Sequence, residues 1–118
     1  MKTQIKTTKE FDKEAKRLQK KYPSLAYDLS ALVDSLYQNP QTGTSLGGNT
    51  YKIRLAIASK GKGKSGGARV ITHVDTELIA THITHADYTT TIHLLTIYDK
   101  SEVGSVSTEM IKRLIALL

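Results

Sequence analysis

Residues 51–71 read YKIRLAIASKGKGKSGGARVI, and residues 92–100 read IHLLTIYDK. The first stretch is an apolar strand, a Gly/Lys loop and a second apolar strand. Tyr51, Ile53, Leu55 and Ile57 alternate with Lys52, Arg54, Ala56 and Ala58, the period of two that marks a strand over 51–58. If the apolar set faces a layer of helices, Lys52 and Arg54 stand together on the opposite face of the sheet. In the returning strand, 68–75, Ala68, Val70, Thr72 and Val74 alternate with Arg69, Ile71 and His73. Arg69 shares the face of Arg54 if Val70 points to the core, an orientation the pattern allows but does not force, since Ile71 is apolar too. Ile92–Asp99 is nearly continuously apolar, as a central strand is, and exits through Tyr98, Asp99 and Lys100.

The elements around this stretch follow from capping and periodicity. Residues 3–7 predict a short edge strand. Thr8 is placed to cap a helix with Glu10 in its first turn, and Phe11, Ala15, Leu18 and Tyr22 form its apolar stripe up to Pro23. Leu25, Leu29, Leu32, Val33 and Leu36 predict a second helix ending near Asn39-Pro40, antiparallel to the first. Residues 41–49 read as a loop, and 59–67 as the Gly/Lys loop. Leu78–Ile83 predicts a further strand with a turn at Ala86-Asp87, and Ser107 caps a last helix carrying Met110, Ile111, Leu114, Ile115 and Leu118. The order β-α-α-β-β-(β)-β-α predicts one α+β domain over 1–118, its helices on one face of a mostly antiparallel sheet of four to five strands.

Composition narrows the chemistry. The chain has 118 residues, enough for one hydrophobic core, and no cysteine, which removes disulfides and thiolate chemistry and fits a reducing cytoplasm. The opening MKTQIKTTKEF has no apolar core of a signal peptide, and no stretch predicts a membrane span. The net charge is +6, and its distribution is uneven. Residues 35–74 hold six Lys/Arg and no acid, whereas 75–118 hold three Lys/Arg against six Asp/Glu. A concentrated acid-free excess is what a phosphate-binding surface requires.

Several motifs can be set aside. Gly63-Lys64-Ser65 resembles the end of a P-loop, but Ala58 stands where the first glycine belongs and a strand rather than a helix follows. His82 and His85 carry no metal-site spacing. His73 and His93 would suit a paired-imidazole ribonuclease only if their strands brought them together, and nothing in the sequence positions them so. What remains is cationic with one phenol: Lys52, Arg54, Lys60, Lys62, Lys64, Arg69, Tyr98 and Lys100. Such a set can cleave RNA without a cofactor. Arginines stabilise charge on the phosphorane oxygens. A lysine or tyrosine whose deprotonated form is favoured by neighbouring cations can take the 2′-hydroxyl proton. The product would be a 2′,3′-cyclic phosphate. Gly61, Gly63, Gly66 and Gly67 would let the loop backbone approach phosphates closely.

The paired motifs KGKGKSGGAR (60–69) and LLTIYDKSE (94–102), with the helical pair before them and the helix after, resemble the HigB-type branch of the RelE/ParE toxins of bacterial toxin–antitoxin systems. The resemblance implies a RelE-like fold and a ribosome-dependent mRNA interferase, an endoribonuclease that needs no metal or other cofactor. It also implies a cognate antitoxin, often of helix-turn-helix type, as partner beside the ribosome and its mRNA. Carried over by position, Arg54 and Arg69 would be transition-state arginines, and Lys62 and Lys64 would contact RNA and share in proton transfer. Tyr98 would stack on a base or orient the 2′-hydroxyl, Lys100 would complete the site, and Lys52, Lys60, Gly63 and Gly66 would bind RNA. The connection from Val74 to Ile92, with its THITHADYTT, has no counterpart in that pattern. Two other functions use the same scaffold: a ParE-like inhibitor of DNA gyrase, and a decayed toxin that only binds RNA or an antitoxin.

Overall fold

The computed structural model describes residues 2–81 and 86–118, so His82, Ile83 and His85 lie outside it. Strand β1 (Lys2–Thr7) leads into helices α1 (Lys9–Lys21) and α2 (Leu25–Gln38). Strands β2 (Thr44–Gly47), β3 (Thr50–Leu55), β4 (Ala68–Thr81) and β5 (Ala86–Asp99) follow, and α3 (Thr108–Ala116) ends the chain. The sheet order is β1-β5-β4-β3-β2, with β1 parallel to β5 and the other neighbours antiparallel. Among the described residues no helix is long and apolar enough to cross a membrane.

The capping residues behave as their chemistry dictates. The Thr8 hydroxyl accepts from the Phe11 N–H and the Ser107 hydroxyl from the Met110 N–H, each satisfying one orphan donor of a helix start. Phe11 and Leu18 of α1 and Leu25, Leu32 and Leu36 of α2 are buried against Ile53, Leu55, Val70, Ile92, Leu94 and Ile97 of the sheet. Val70 therefore points to the helical pair, and Arg69 and Ile71 point the other way.

The expectation that all helices share one face is corrected. Helix α3 packs on the opposite face, where Leu114 meets Ile71, Leu95 and Tyr98. Ile71 and Tyr98 face that side by ordinary alternation, and a register shift in the β4–β5 ladder, which pairs Ile71 with Thr96 and then Thr72 with Leu94, turns Leu95 to it as well. Leu95 is the extra residue of a bulge. The shift lets Leu94 face α1 and α2 while Leu95 faces α3. The continuous apolar run of β5 is thus a strand covered on both sides.

Two further boundaries differ from the sequence reading. The segment 41–49 contains β2, paired with β3 through Gly48 (φ 58°) and Asn49 (φ 61°), the two left-handed residues of a tight hairpin turn. The expected strand from Leu78 with a turn at Ala86-Asp87 is corrected too. The described part of 76–91 continues both strands of the antiparallel ladder, and Asp87 pairs with Ala80 inside it.

Thr72 is fully buried and its hydroxyl is the one buried side-chain polar atom without a partner among the described residues. Its removal should help. Thr72→Val keeps the shape and relieves an unsatisfied group, so the variant should unfold at higher urea, with a gain of about 1 kcal/mol.

Candidate functional site

The antiparallel register places Arg54 of β3 opposite Arg69 of β4, and Arg69 opposite Tyr98 of β5. The three form one row across the sheet, spanning about 10 Å at ordinary strand spacing. All three belong to the face that carries α3. Lys52 lies on the same face, two residues before Arg54, and is half-buried. Two like charges directly opposite on adjacent strands repel. Their side chains are treated differently. Arg54 is exposed, whereas Arg69 is withdrawn and only 5% exposed.

Arg69 is committed to the loop it follows. One guanidinium nitrogen donates to the carbonyls of Lys64 (2.9 Å) and Ala68 (3.0 Å), and the other to that of Ser65 (3.3 Å). The residue expected to bind a scissile phosphate instead holds the Gly/Lys loop against the sheet. Gly67 has a matching role: a Cβ there would lie 2.1 Å from the Leu55 carbonyl oxygen, so only glycine lets the loop turn back beneath β3. Gly66 faces Lys62 rather than open space, since a Cβ would come within 2.6 Å of that side chain. That gives it a packing role within the loop. Gly63, left-handed at φ 60° and unobstructed, remains open to a ligand.

Tyr98 is 6% exposed and packs with α3. Burial pushes its phenol pKa up, and the nearby Arg69 charge opposes this without cancelling it. The expected cation-favoured phenolate is therefore corrected: Tyr98 holds its proton. It forms part of the floor of a groove of about 530 Å³ between β3 and α3, whose walls include Thr50, Lys52, Ile71, Ile111 and Lys112.

Lys60 is also corrected. Its side chain is 9% exposed and its ammonium lies 2.7 Å from the Asp99 carboxylate and 2.9 Å from the Ser101 hydroxyl. That places it in the interior near Tyr22, 5.4 Å from the ring centroid, and not on an RNA-facing surface. Burial lowers its pKa, but the bond to Asp99, the Asp99 charge and Tyr22 together offset this and leave it raised. Lys62, Lys64 and Lys100 are exposed. The Lys100 ammonium donates to the Gly104 carbonyl (2.6 Å), and its backbone N–H donates to Gly67 (3.1 Å), which fixes the β5 exit beside the loop base.

Two clusters go beyond the cationic set. Asp99 is fully buried and accepts from Lys60, from the Tyr22 hydroxyl (2.6 Å), and from the Ser101 N–H and hydroxyl (2.9 and 2.7 Å). Burial alone would raise its pKa; these donors outweigh burial and hold it well below the carboxylate range. The second cluster is His73, Asp75 and His93. The two imidazoles sit opposite each other across β4 and β5, with ring centroids 6.4 Å apart. His93 Nε2 is hydrogen-bonded to Asp75 Oδ2 at 3.1 Å, and His73 Nε2 lies 3.2 Å from Oδ1, within ion-pair distance. The alternation in RVITHVD, where Arg69, Ile71, His73 and Asp75 share a face, was the available signal for half of it. The pairing with His93 depends on the bulge. Among the described residues no group of three or more His, Cys, Asp or Glu is placed to hold a metal ion. No protein-family model matches the chain.

The Asp99 cluster sets a pH signature. A carboxylate whose folded pKa is depressed adds stability above its unfolded pKa of about 4, and loses it as pH falls below that. The raised Lys60 contributes fully below about pH 10 and loses its share above it. Asp99→Asn, which leaves Lys60 buried without its counter-charge, should lower stability by about 3 kcal/mol at pH 7. In urea titrations the gap from the parent should shrink at pH 3.

Proposed function

We propose that this protein is a RelE-like toxin that binds translated mRNA on the ribosome and cleaves it, by attack of the RNA's own 2′-hydroxyl on the adjacent phosphate. The observation that carries the reading is the Arg54–Arg69–Tyr98 row, in register across three strands and flanked by the exposed Lys62, Lys64 and Lys100. Arg54 is the row member whose guanidinium is exposed and can meet a phosphate. The loop lysines, held in place by Arg69, supply further phosphate contacts, and Lys52 lies beside the groove floored by Tyr98. Such chemistry places the cost of catalysis on electrostatic stabilisation of the phosphorane, the contribution that positioned arginines make. A cognate antitoxin, of helix-turn-helix type, completes the proposal as the partner that restrains the activity.

The burial of Arg69 and Tyr98 favours one second reading, a protein that grips RNA on the same surface without cutting it. Mapping mRNA 5′ ends after induction in a bacterial host separates the two. Cuts in phase with codons, reduced about 100-fold or more in Arg54→Ala with unchanged thermal unfolding, support the enzyme. Uncut message that co-purifies with the protein supports the binder. Altered plasmid supercoiling with uncut message would turn the assignment to gyrase inhibition.

On either RNA reading the loop lysines act as phosphate contacts. Replacing Lys62 or Lys64 with alanine should weaken binding for all sequences alike and reduce the slope of log K against log salt by about 1 per lysine. Filter binding at a series of salt concentrations measures it.

A further inference from the structure

Strand β2 pairs with β3 only as far as Lys52, so beyond that residue the outer edge of β3 meets no strand among the described residues. Helix α2 and the Gly/Lys loop close on this edge and leave a groove of about 340 Å³. Leu32, Ile53 and Leu55 give it an apolar floor, and Arg54, Lys64 and Asp28 stand in its walls. Both cations are exposed, and neither side chain has a hydrogen-bond or ion-pair partner among the described residues. Lys64 is nonetheless held in place, because its carbonyl accepts from Arg69 at 2.9 Å.

Asp28 is the one acid lining this groove, and only half of its carboxylate is committed. Oδ2 accepts from the Ala58 N–H at 3.1 Å and from the Ser24 hydroxyl at 2.8 Å. Those bonds tie α2 to the turn at Ala58–Lys60, a structural task that one oxygen performs alone. Oδ1 has no partner among the described residues, and Asp28 is only partly buried. The other hydroxyls of the groove have spent their protons: Ser35 donates to the Leu32 carbonyl (2.8 Å) and Thr42 to that of Asn39 (2.7 Å).

We infer that this groove is a ribonucleotide subsite, in which Arg54 and Lys64 take a phosphate and Asp28 Oδ1 accepts from the ribose 2′-hydroxyl. The inference rests on the RNA reading and deepens it, since Asp28 becomes the residue that tells RNA from DNA. A bare phosphate here is drawn by two cations and repelled by a carboxylate. A ligand that carries a hydroxyl beside its phosphate converts that repulsion into a charge-assisted hydrogen bond. RNA has this pairing at every nucleotide, with the 2′-hydroxyl next to the 3′-phosphate. DNA lacks the hydroxyl and leaves the carboxylate facing phosphate with nothing between. Asp28 is thus a specificity residue and takes no proton from the substrate.

The test compares two probes of the same base, a uridylate hexamer and its 2′-deoxy counterpart, each titrated into the ¹⁵N-labelled chain. The ribo-oligonucleotide should bind about tenfold more tightly, the effect of one hydrogen bond to a charged group. The Ala58 amide signal, whose N–H sits on the other Asp28 oxygen, should move with the ribo probe and stay with the deoxy probe. Asp28→Asn keeps an oxygen for Ala58 and replaces the free acceptor with a donor. It should bring the two affinities together with unchanged thermal unfolding, while Arg54→Ala should weaken both probes by a similar factor. Equal affinities in the parent protein, or a preference for RNA that survives in folded Asp28→Asn, would overturn the subsite and leave nucleic-acid binding standing. Should Asp28→Asn fail to fold, the Ala58 signal of the parent decides: a shift alike for both probes overturns the inference. A chain that binds neither probe removes the RNA reading and the subsite with it.

Discussion

A single carboxylate at the end of β5 joins parts of the chain that no strand ladder connects. Asp99 is without solvent, yet it accepts from Tyr22 at the end of α1, from Lys60 at the start of the Gly/Lys loop and from Ser101 after the strand. A buried carboxylate is tolerable only with such donors, and a buried ammonium only with such an acceptor. Each partner therefore fixes the other. Exposed charges extend the same node, with Arg17 bidentate to Glu102 and Lys21 reaching both Glu102 and Asp99. Pairs of that kind contribute little alone. Their effect is to keep α1 seated beside the strand exit while the interior pair does most of the holding.

From that anchor the loop has few options. Lys60 sets where it leaves the first strand, and Arg69 binds its carbonyls where it returns. Gly67 permits the approach to Leu55 that closes it, and the Lys100 N–H takes the Gly67 carbonyl. Two cations thus hold the loop from inside, so that the lysines between them project outward. A loop of this composition would otherwise be a flexible hairpin tip. Its order comes from the positive charges that sequence counting would assign to a ligand.

Periodicity made much of this fold legible. Alternation placed Lys52 and Arg54 opposite the helical pair, and the caps at Thr8 and Ser107 stand where side-chain chemistry puts them. The position of α3 was not legible, because the β5 run is apolar on both faces and the bulge at Leu95 decides which of its two leucines meets α3. Strand β2 escaped because all four of its residues are exposed and its one apolar residue, Leu46, sets no alternation, although Gly48-Asn49 is a hairpin signature. Within the candidate site, the shared face of Arg54 and Arg69 followed from alternation once Val70 was placed. Their difference in exposure did not, since it depends on carbonyls that come near only after the loop folds back.

That difference changes how the charge of the chain is to be weighed. The six cations of residues 35–74 have no acid among them, which suggests a surface wholly available to phosphate. Folding brings Asp99 from the acidic C-terminal part to neutralise Lys60, and it turns Arg69 toward backbone carbonyls. It also brings Asp75 onto the sheet face where His73 and His93 meet. Electrostatic attraction for RNA thus falls to Lys52, Arg54, Lys62 and Lys64.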